Sequence, residues 1–351
     1  MNKFLDEING QPLAVDATLS YYLTNEGVEK LKNLRRLVRN EQIGHIVFTG
    51  MGSSYFVSYA ASCLFNSLGL RSCAINTSEL LYYHFPIIDK KTMVVHVSQS
   101  GESVEVVRLL EKLPEDVLCI GVSNEEHSSL TKRAKEVLLS QAGMEEMTST
   151  KTYTSTTLVM FILGWYLANL WGEEKIQQVR GLKSNMEKLL ATQNNLVTDV
   201  SDFLGDIEFM QFIGRGPSFS TAQQSELMFK EAAKKAAAAT LGGEFRHGPM
   251  EMVGPGFKSV LFAAEGPTYS QSIMMAMDIA KYQGKVVLIT NKNPHGISDR
   301  NVKVITTDQP DEYLFSIQSI IPVQLMVNYL ALMDGHLPGA FAHGGKVTLK
   351  E

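Results

Sequence analysis

Cysteine is scarce in this chain. Cys63, Cys73 and Cys119 are the only three in 351 residues, none forms a Cys-x-x-Cys pair, and their neighbours are apolar. That argues against a disulfide framework and a cysteine-ligated metal, and reads as reduced core thiols of a cytoplasmic protein. A block of one charge is also missing: 32 basic against 37 acidic residues leave a formal charge of −5. Nucleic acid demands a basic face, so it is not an expected partner, and any anionic ligand must be caught by a local site. Long apolar runs are lacking too. The longest, 157–170, has 14 residues with Gly164 and Asn169 inside it. That falls short of the ~20 needed to cross a bilayer, so a buried core helix is expected there and no membrane partner. The start, Met1-Asn-Lys-Phe-Leu-Asp-Glu, carries no secretory leader pattern.

What remains is an ordinary globular composition, 44% hydrophobic and 20% charged, in a chain too long for one core. Strand and helix signals alternate along it. After a polar helical stretch at 27–39, strands are expected at 43–49, 71–76, 93–97, 117–122 and 137–140, with a helix at 55–68. A long polar helical stretch, 172–199, separates a second series with strands at 208–214, 259–264, 285–290 and 302–306. Such alternation predicts βαβ units and parallel sheets. Both series open alike, with a strand, a serine-containing Gly-x-Gly turn (Gly50-Met-Gly-Ser-Ser54; Gly214-Arg-Gly-Pro-Ser218) and a helix. Two copies of one α/β fold follow from that self-similarity.

The most informative stretch is Val94-Val-His-Val-Ser98-Gln-Ser-Gly-Glu-Ser103, followed by a helical pattern with Val104, Val107 and Leu110 on one face. Ser98, Gln99, Ser100 and Ser103 thus sit where a strand hands over to a helix N-terminus. Free N–H groups and the helix dipole attract anions there. One such serine would be an ordinary cap; four hydrogen-bonding side chains in six positions point to a phosphate site. Ser53 and Ser54 of the Gly50 turn supply a second loop of donors. A dinucleotide site is disfavoured at that turn, because position 55 is tyrosine where the third glycine is needed. The second copy has Ala264-Glu-Gly-Pro-Thr-Tyr269 in place of the serine cluster, a poorer anion cradle, so phosphate binding is assigned to the first copy.

Two further clusters stand out. In Gly143-Met-Glu-Glu-Met-Thr-Ser-Thr150, residues Thr148, Ser149 and Thr150 are candidates to cap the apolar helix and to close over a sugar. Further on, Glu231 ends a helical stretch, the helix formers of Lys234-Lys-Ala-Ala-Ala-Ala-Thr240 suggest more helix, Gly242-Gly243 breaks it, and His247 lies in a loop stiffened by Pro249. A carboxylate base and an imidazole, a group whose ordinary pKa is near neutral, suit proton transfer beside a carbonyl.

With these motifs assembled, the chain resembles tandem sugar-isomerase (SIS) proteins. It is most similar to the isomerase half of glucosamine-6-phosphate synthase and to stand-alone SIS deaminases and fructosamine-6-phosphate deglycases. The resemblance spans about residues 43–351. It rests on Ser98-Gln-Ser-Gly-Glu-Ser103, Lys230-Glu231, Gly243-Glu-Phe-Arg-His-Gly-Pro249 and Lys346-Val-Thr348. It implies two tandem SIS domains, each a parallel five-stranded sheet flanked by helices in a flavodoxin-like αβα sandwich. The expected division is a helical lead-in at 1–40, a phosphate-binding domain at 41–195, a domain carrying the acid/base groups at 196–335, and a closing tail at 336–351. It implies that Ser53, Ser54, Ser98, Gln99, Ser100 and Ser103 bind the sugar phosphate, with Ser149 near the sugar hydroxyls. Glu231 would shuttle a proton between C1 and C2, and His247 of a neighbouring subunit would open the ring. Lys346 would contact the open-chain sugar. A homodimer with shared sites and a small sugar phosphate are the implied partners, and no cofactor or metal is expected.

Two departures from the synthase pattern touch this set. The lysine of Gly344-Gly-Lys-Val-Thr348 is offset by one residue, and Met228 stands where the synthase has a lysine. The synthase's glutaminase part, with its N-terminal nucleophilic cysteine, is not expected in this sequence, in which Asn2 follows Met1. The reaction classes left open are deamination or deglycation of an amino-sugar or fructosamine 6-phosphate, and plain aldose–ketose isomerisation. A non-catalytic sugar-phosphate sensor is the alternative of another class. Such regulators pair one SIS domain with a DNA-binding helix-turn-helix, which this sequence does not show. The intact set of Glu231, His247 and Lys346 favours an enzyme.

Overall fold

A computed structural model describes residues 2–294, 296–348 and 350. The chain forms two compact units. The first comprises residues 10–180 and the tail from Ala342; the second comprises 181–341 and the segment ending at Asn9. Helix α1 (Lys3–Asn9) belongs to the second unit. In the first unit, α2 (Gln11–Leu23) and α3 (Asn25–Asn40) precede β1 (His45–Gly50), α4 (Ser53–Ser67), β2 (Ser72–Asn76) and the single turn α5 (Thr77–Glu79). Then come β3 (Thr92–Val97), α6 (Val104–Lys112), β4 (Leu118–Ser123), α7 (Ser129–Arg133), β5 (Glu136–Leu139) and α8 (Lys151–Leu167). Helix α9 (Glu173–Ala191) links the units along the chain. The second unit continues with α10 (Gln193–Leu204), β6 (Phe209–Gly214), α11 (Pro217–Glu231), β7 (Ala236–Leu241), α12 (Gly242–Arg246) and β8 (Lys258–Ala263). It ends with α13 (Tyr269–Lys281), β9 (Lys285–Thr290), β10 (Val302–Thr306), α14 (Glu312–Gln318) and α15 (Ile321–Met333).

Each unit holds one five-stranded sheet, ordered β2-β1-β3-β4-β5 and β10-β9-β8-β6-β7, with every pairing parallel. Read from its other edge, the second order repeats the first. Strands β3 and β4 are buried along their whole length, because Thr-Met-Val-Val-His-Val and Leu-Cys-Ile-Gly-Val-Ser present apolar or small groups to both faces. In α8, every residue from Thr152 to Trp165 is buried. At Gly164 a methyl group would come 2.8 Å from the Phe65 ring, so glycine lets α4 pack closely. The order in which strands are added reverses between β1 and β3, and again between β6 and β8. Crevices at the C-terminal strand ends are expected at both points.

One segment departs from the sequence-based expectation. The helix formers at 234–240 do not extend a helix: α11 stops at Glu231, Lys234 turns the chain at φ +55°, and Ala236–Leu241 becomes edge strand β7. Strand pairing overrides intrinsic propensity here. The Gln211 amide donates to the Ala238 carbonyl at 3.1 Å and to Thr240 Oγ1 at 3.0 Å, and Ala239 N–H donates to the Glu226 carboxylate at 3.1 Å. Gly242-Gly243 opens α12 and does not break a helix. A second finding concerns 312–333, which is long and apolar enough for a membrane span, yet 89% of its apolar window is buried inside the fold.

Candidate active site

The hydroxyl clusters lie on two neighbouring strands. β1 ends at Gly50, and Gly52 (φ +51°) precedes Ser53 and Ser54 in the first turn of α4. β3 ends at Val97, and Ser98, Gln99, Ser100 and Ser103 line the turn into α6. Gly101 is essential to that turn. It sits at φ +67°, and a methyl group there would come 2.2 Å from Ser128 Oγ. Ser98 Oγ accepts from Gly101 N–H at 3.0 Å, and Ser100 Oγ accepts from Glu102 N–H at 3.3 Å. Each hydroxyl is an acceptor in these bonds, which leaves its own O–H to donate to an anion. Ser103 occupies the N-cap of α6 without a side-chain capping bond, so capping does not consume it. Glu102, the one acid in the turn, is engaged by α7: its carboxylate accepts from Ser129 N–H at 2.6 Å and Ser129 Oγ at 2.8 Å.

The tail joins this unit. Val104 N–H, at the start of α6, donates to the Thr348 carbonyl at 3.1 Å. Lys346 Nζ donates to Glu145 Oε2 at 2.7 Å and to the Met147 carbonyl at 2.9 Å. The Glu145 side chain is wholly buried and also accepts from Thr150 N–H (2.9 Å), Thr150 Oγ1 (3.0 Å), Thr152 N–H (3.0 Å) and Thr152 Oγ1 (2.5 Å). The expectation that the Thr150 hydroxyl caps the apolar helix is therefore corrected. Thr150 makes no side-chain cap, and the Glu145 carboxylate takes the N–H groups of the N-cap Thr150 and of Thr152 in the first turn of α8. A carboxylate holds these donors more strongly and also meets the positive end of the helix. Ser149 Oγ pairs with Thr152 Oγ1 at 2.7 Å, in the shell around this carboxylate.

Glu145 is the residue that sequence reasoning missed. Its local trace is only an acid six residues before α8, with threonines at 150 and 152. The fold brings Lys346, Ser149 and the serine turns into one unit.

Glu231 and His247 belong to the second unit. Glu231 is the last residue of α11 and is partly buried. Lys234 Nζ donates to the Glu231 carbonyl and, at 2.9 Å, to the Ala340 carbonyl, while Lys235 pairs with Asp334 at 2.7 Å. These bonds tie the end of α11 to the segment after α15. His247 follows α12, is exposed, and is succeeded by Gly248 at φ +132°. Gly242 lets the Arg215 side chain lie against the backbone of α12, since a methyl group there would come 2.6 Å from Arg215 Nε. Burial, and then the neighbouring Arg246 charge, lower the Arg215 pKa. Met228, at the position of the synthase lysine, is buried.

The chain matches the SIS domain family over residues 41–166 and 206–334. Among curated relatives, glutamine–fructose-6-phosphate aminotransferase (isomerizing) of Pyrococcus horikoshii is 29% identical over 301 residues, covering 84% of this chain and 50% of the relative. The enzyme of that name from Thermus thermophilus is 25% identical, covering 94% and 56%. The chain thus spans about half the length of the curated relatives it matches. Among solved structures, the C-terminal domain of the Francisella tularensis glucosamine-fructose-6-phosphate aminotransferase superposes with TM-score 0.88 at 23% identity, covering 97% and 98%. Glucosamine-6-phosphate deaminase of Thermotoga maritima superposes with TM-score 0.77 at 20% identity, covering 99% and 100%.

Proposed function

Because the chain belongs to the SIS domain family, we propose that it is a phosphosugar isomerase that moves a proton between C1 and C2 of an amino-sugar or fructosamine 6-phosphate and releases ammonia or an amine. The observation that carries this reading is the pair of serine turns at adjacent strand ends, β1 and β3, in the unit that also holds Lys346 on a buried carboxylate. Uncharged donors at two helix N-termini suit a phosphate that must be held and let go.

In this mechanism Ser53, Ser54, Ser98, Gln99, Ser100 and Ser103 hold the phosphate, and Ser149 meets a sugar hydroxyl. His247, from a neighbouring subunit of a homodimer, opens the ring by proton transfer to the ring oxygen. Glu231 takes a proton from one carbon and returns it to the other. From a 2-amino aldose, loss of the C2 proton and protonation at C1 leave an imine at C2, which water cleaves to a ketose and ammonia. From a 1-amino ketose the same shuttle runs from C1 to C2, and water releases the amine from an imine at C1. Lys346 Nζ, held by Glu145, hydrogen-bonds an oxygen of the open chain and supports the negative charge that develops there. Both reactions use one set of groups. A plain aldose–ketose isomerisation would use them without the hydrolysis.

The test is incubation with a panel of 6-phosphorylated amino sugars, fructosamines and simple aldoses, with products identified by mass spectrometry. Release of ammonia or amine with a ketose or aldose 6-phosphate is expected. Turnover of simple aldoses alone would reduce the activity to isomerisation. No turnover of any panel member would point to the sensor.

A further inference from the structure

The second unit repeats the backbone of the first cradle. Gly216 precedes α11 at φ +52° and ψ −138°, as Gly52 precedes α4 at φ +51° and ψ −127°. In both copies the strand-ending glycine lies on the second helical residue: a methyl group would come 2.7 Å from the Ser54 carbonyl carbon at Gly50, and 2.4 Å from the Ser218 carbonyl oxygen at Gly214. β8 runs beside β6, as β3 runs beside β1, and its turn carries Gly266. Two strand-end turns and the N-termini of two long helices, α11 and α13, therefore recur. Ser218, in the first turn of α11, is buried and its hydroxyl has no hydrogen-bond partner among the described residues.

A carboxylate occupies this second place. Glu312 is the first residue of α14, a helix capped by Asp311 Oδ1 through Tyr313 N–H at 2.9 Å and Leu314 N–H at 3.0 Å. A methyl group on Gly266 would lie 2.9 Å from Glu312 Cδ and Oε2, and one on Gly216 would lie 3.6 Å from Oε1. The carboxylate thus rests against both turns at once. Burial, and then the charge of Asp311, raise its pKa. Arg215, the cation within the turn, lies against Gly242.

We propose that Glu312 is a built-in anion that closes a second phosphate cradle, and that removing its carboxylate opens this place to a phosphate ion. A negative group at this spot repels an incoming phosphate and fills the space between the glycines, so the repeat keeps its architecture while only the serine-lined copy remains open. Gly266 is explained by this, since a side chain there would displace the carboxylate, whereas a methyl group on Gly216 would only touch it.

The experiment titrates full-length Glu312→Ala and Glu312→Ser with inorganic phosphate by calorimetry. Each is made in the native background and in a Ser98→Ala/Ser100→Ala background, with folding checked by circular dichroism. The serine variant keeps a residue that starts helices well and carries the test if the alanine variant unfolds. One additional phosphate per chain is expected in both backgrounds, bound about tenfold or more tighter than by the Glu312 parent. An increase in both backgrounds supports the second cradle whether or not Ser98 and Ser100 themselves bind phosphate. Folded variants that bind no more phosphate than their parents overturn it, as does an equal gain from sodium chloride at matched ionic strength.

Discussion

Glu145 accepts from five donors on a side chain with no exposed surface, and two of those donors open α8. Truncation would strand the Lys346 charge and the N–H groups of Thr150 and Thr152. Glu145→Ala should therefore cost about 3–5 kcal/mol in urea unfolding, the range for breaking a buried pair. Glu145→Gln keeps the volume and part of the hydrogen bonding and should cost less. A loss in Glu145→Ala no larger than that of an exposed substitution would mean the cap is not needed. His96 is a second residue with a consequence for pH. It lies in β3 between Thr49 of β1 and Gly121 of β4, and neither ring nitrogen has a partner among the described residues. Burial pushes its pKa down to about 3. The unfolded chain takes up that proton near pH 6.5, while the native state refuses it, so stability falls as pH drops from there toward about 3. The slope should approach ~1.4 kcal/mol per pH unit in that window. His96→Leu should flatten that part of the Tm-against-pH curve, and an unchanged slope would assign the acid sensitivity to other groups.

Elements show which signals are local. The turn after β3 is legible because hydroxyls, glycine and the helix pattern follow one another closely, although α6 buries Val106, Leu109 and Leu110 and leaves Val104 and Val107 half-buried. Gly101→Ala tests that turn. At φ +67°, with Ser128 Oγ at 2.2 Å from the added methyl, it should cost at least about 1–3 kcal/mol. It should also raise the KM for a 6-phosphate substrate far more than it lowers kcat, and unchanged KM would move the phosphate elsewhere. The alanine run of β7 was not legible, because alanine favours helix and only the ladder to β6 makes it a strand. Its weakness as a strand predicts that Ala238→Val, at a half-buried edge position, stabilises the protein by up to ~1 kcal/mol in urea. A destabilisation would show that packing on α11 limits the volume there. Glu145 was hidden for another reason. An acid six residues before a helix is too weak a local trace to single it out, and its lysine partner lies 201 residues away.

For the whole molecule, two copies of one fold were readable because strand, glycine turn and helix recur in order. Which unit receives α1 or the tail from Ala342 depends on contacts far apart in sequence, and no local pattern encodes it. Assembly lies at this scale as well. His247 is exposed on its own chain, which suits a group offered to another subunit. If the proposed homodimer shares its sites in this way, each site combines Glu231 of one chain with His247 of the other. Glu231→Gln alone removes the base, so kcat should fall by about 10²–10⁴ with little change in KM, because the phosphate supplies most of the hold. His247→Ala should be slow on cyclic substrate and partly rescued by an open-chain analogue. In a mixed dimer, one site inherits both defects and the other inherits neither. Activity in a purified heterodimer should therefore return to about half the wild-type value. Two inactive variants that stay inactive after mass spectrometry has confirmed the mixed dimer would place both residues in one subunit's site. Recovery near half, with deuterium at C2 of an amino-aldose 6-phosphate washing out into solvent, would tie the shared site to the proton shuttle itself.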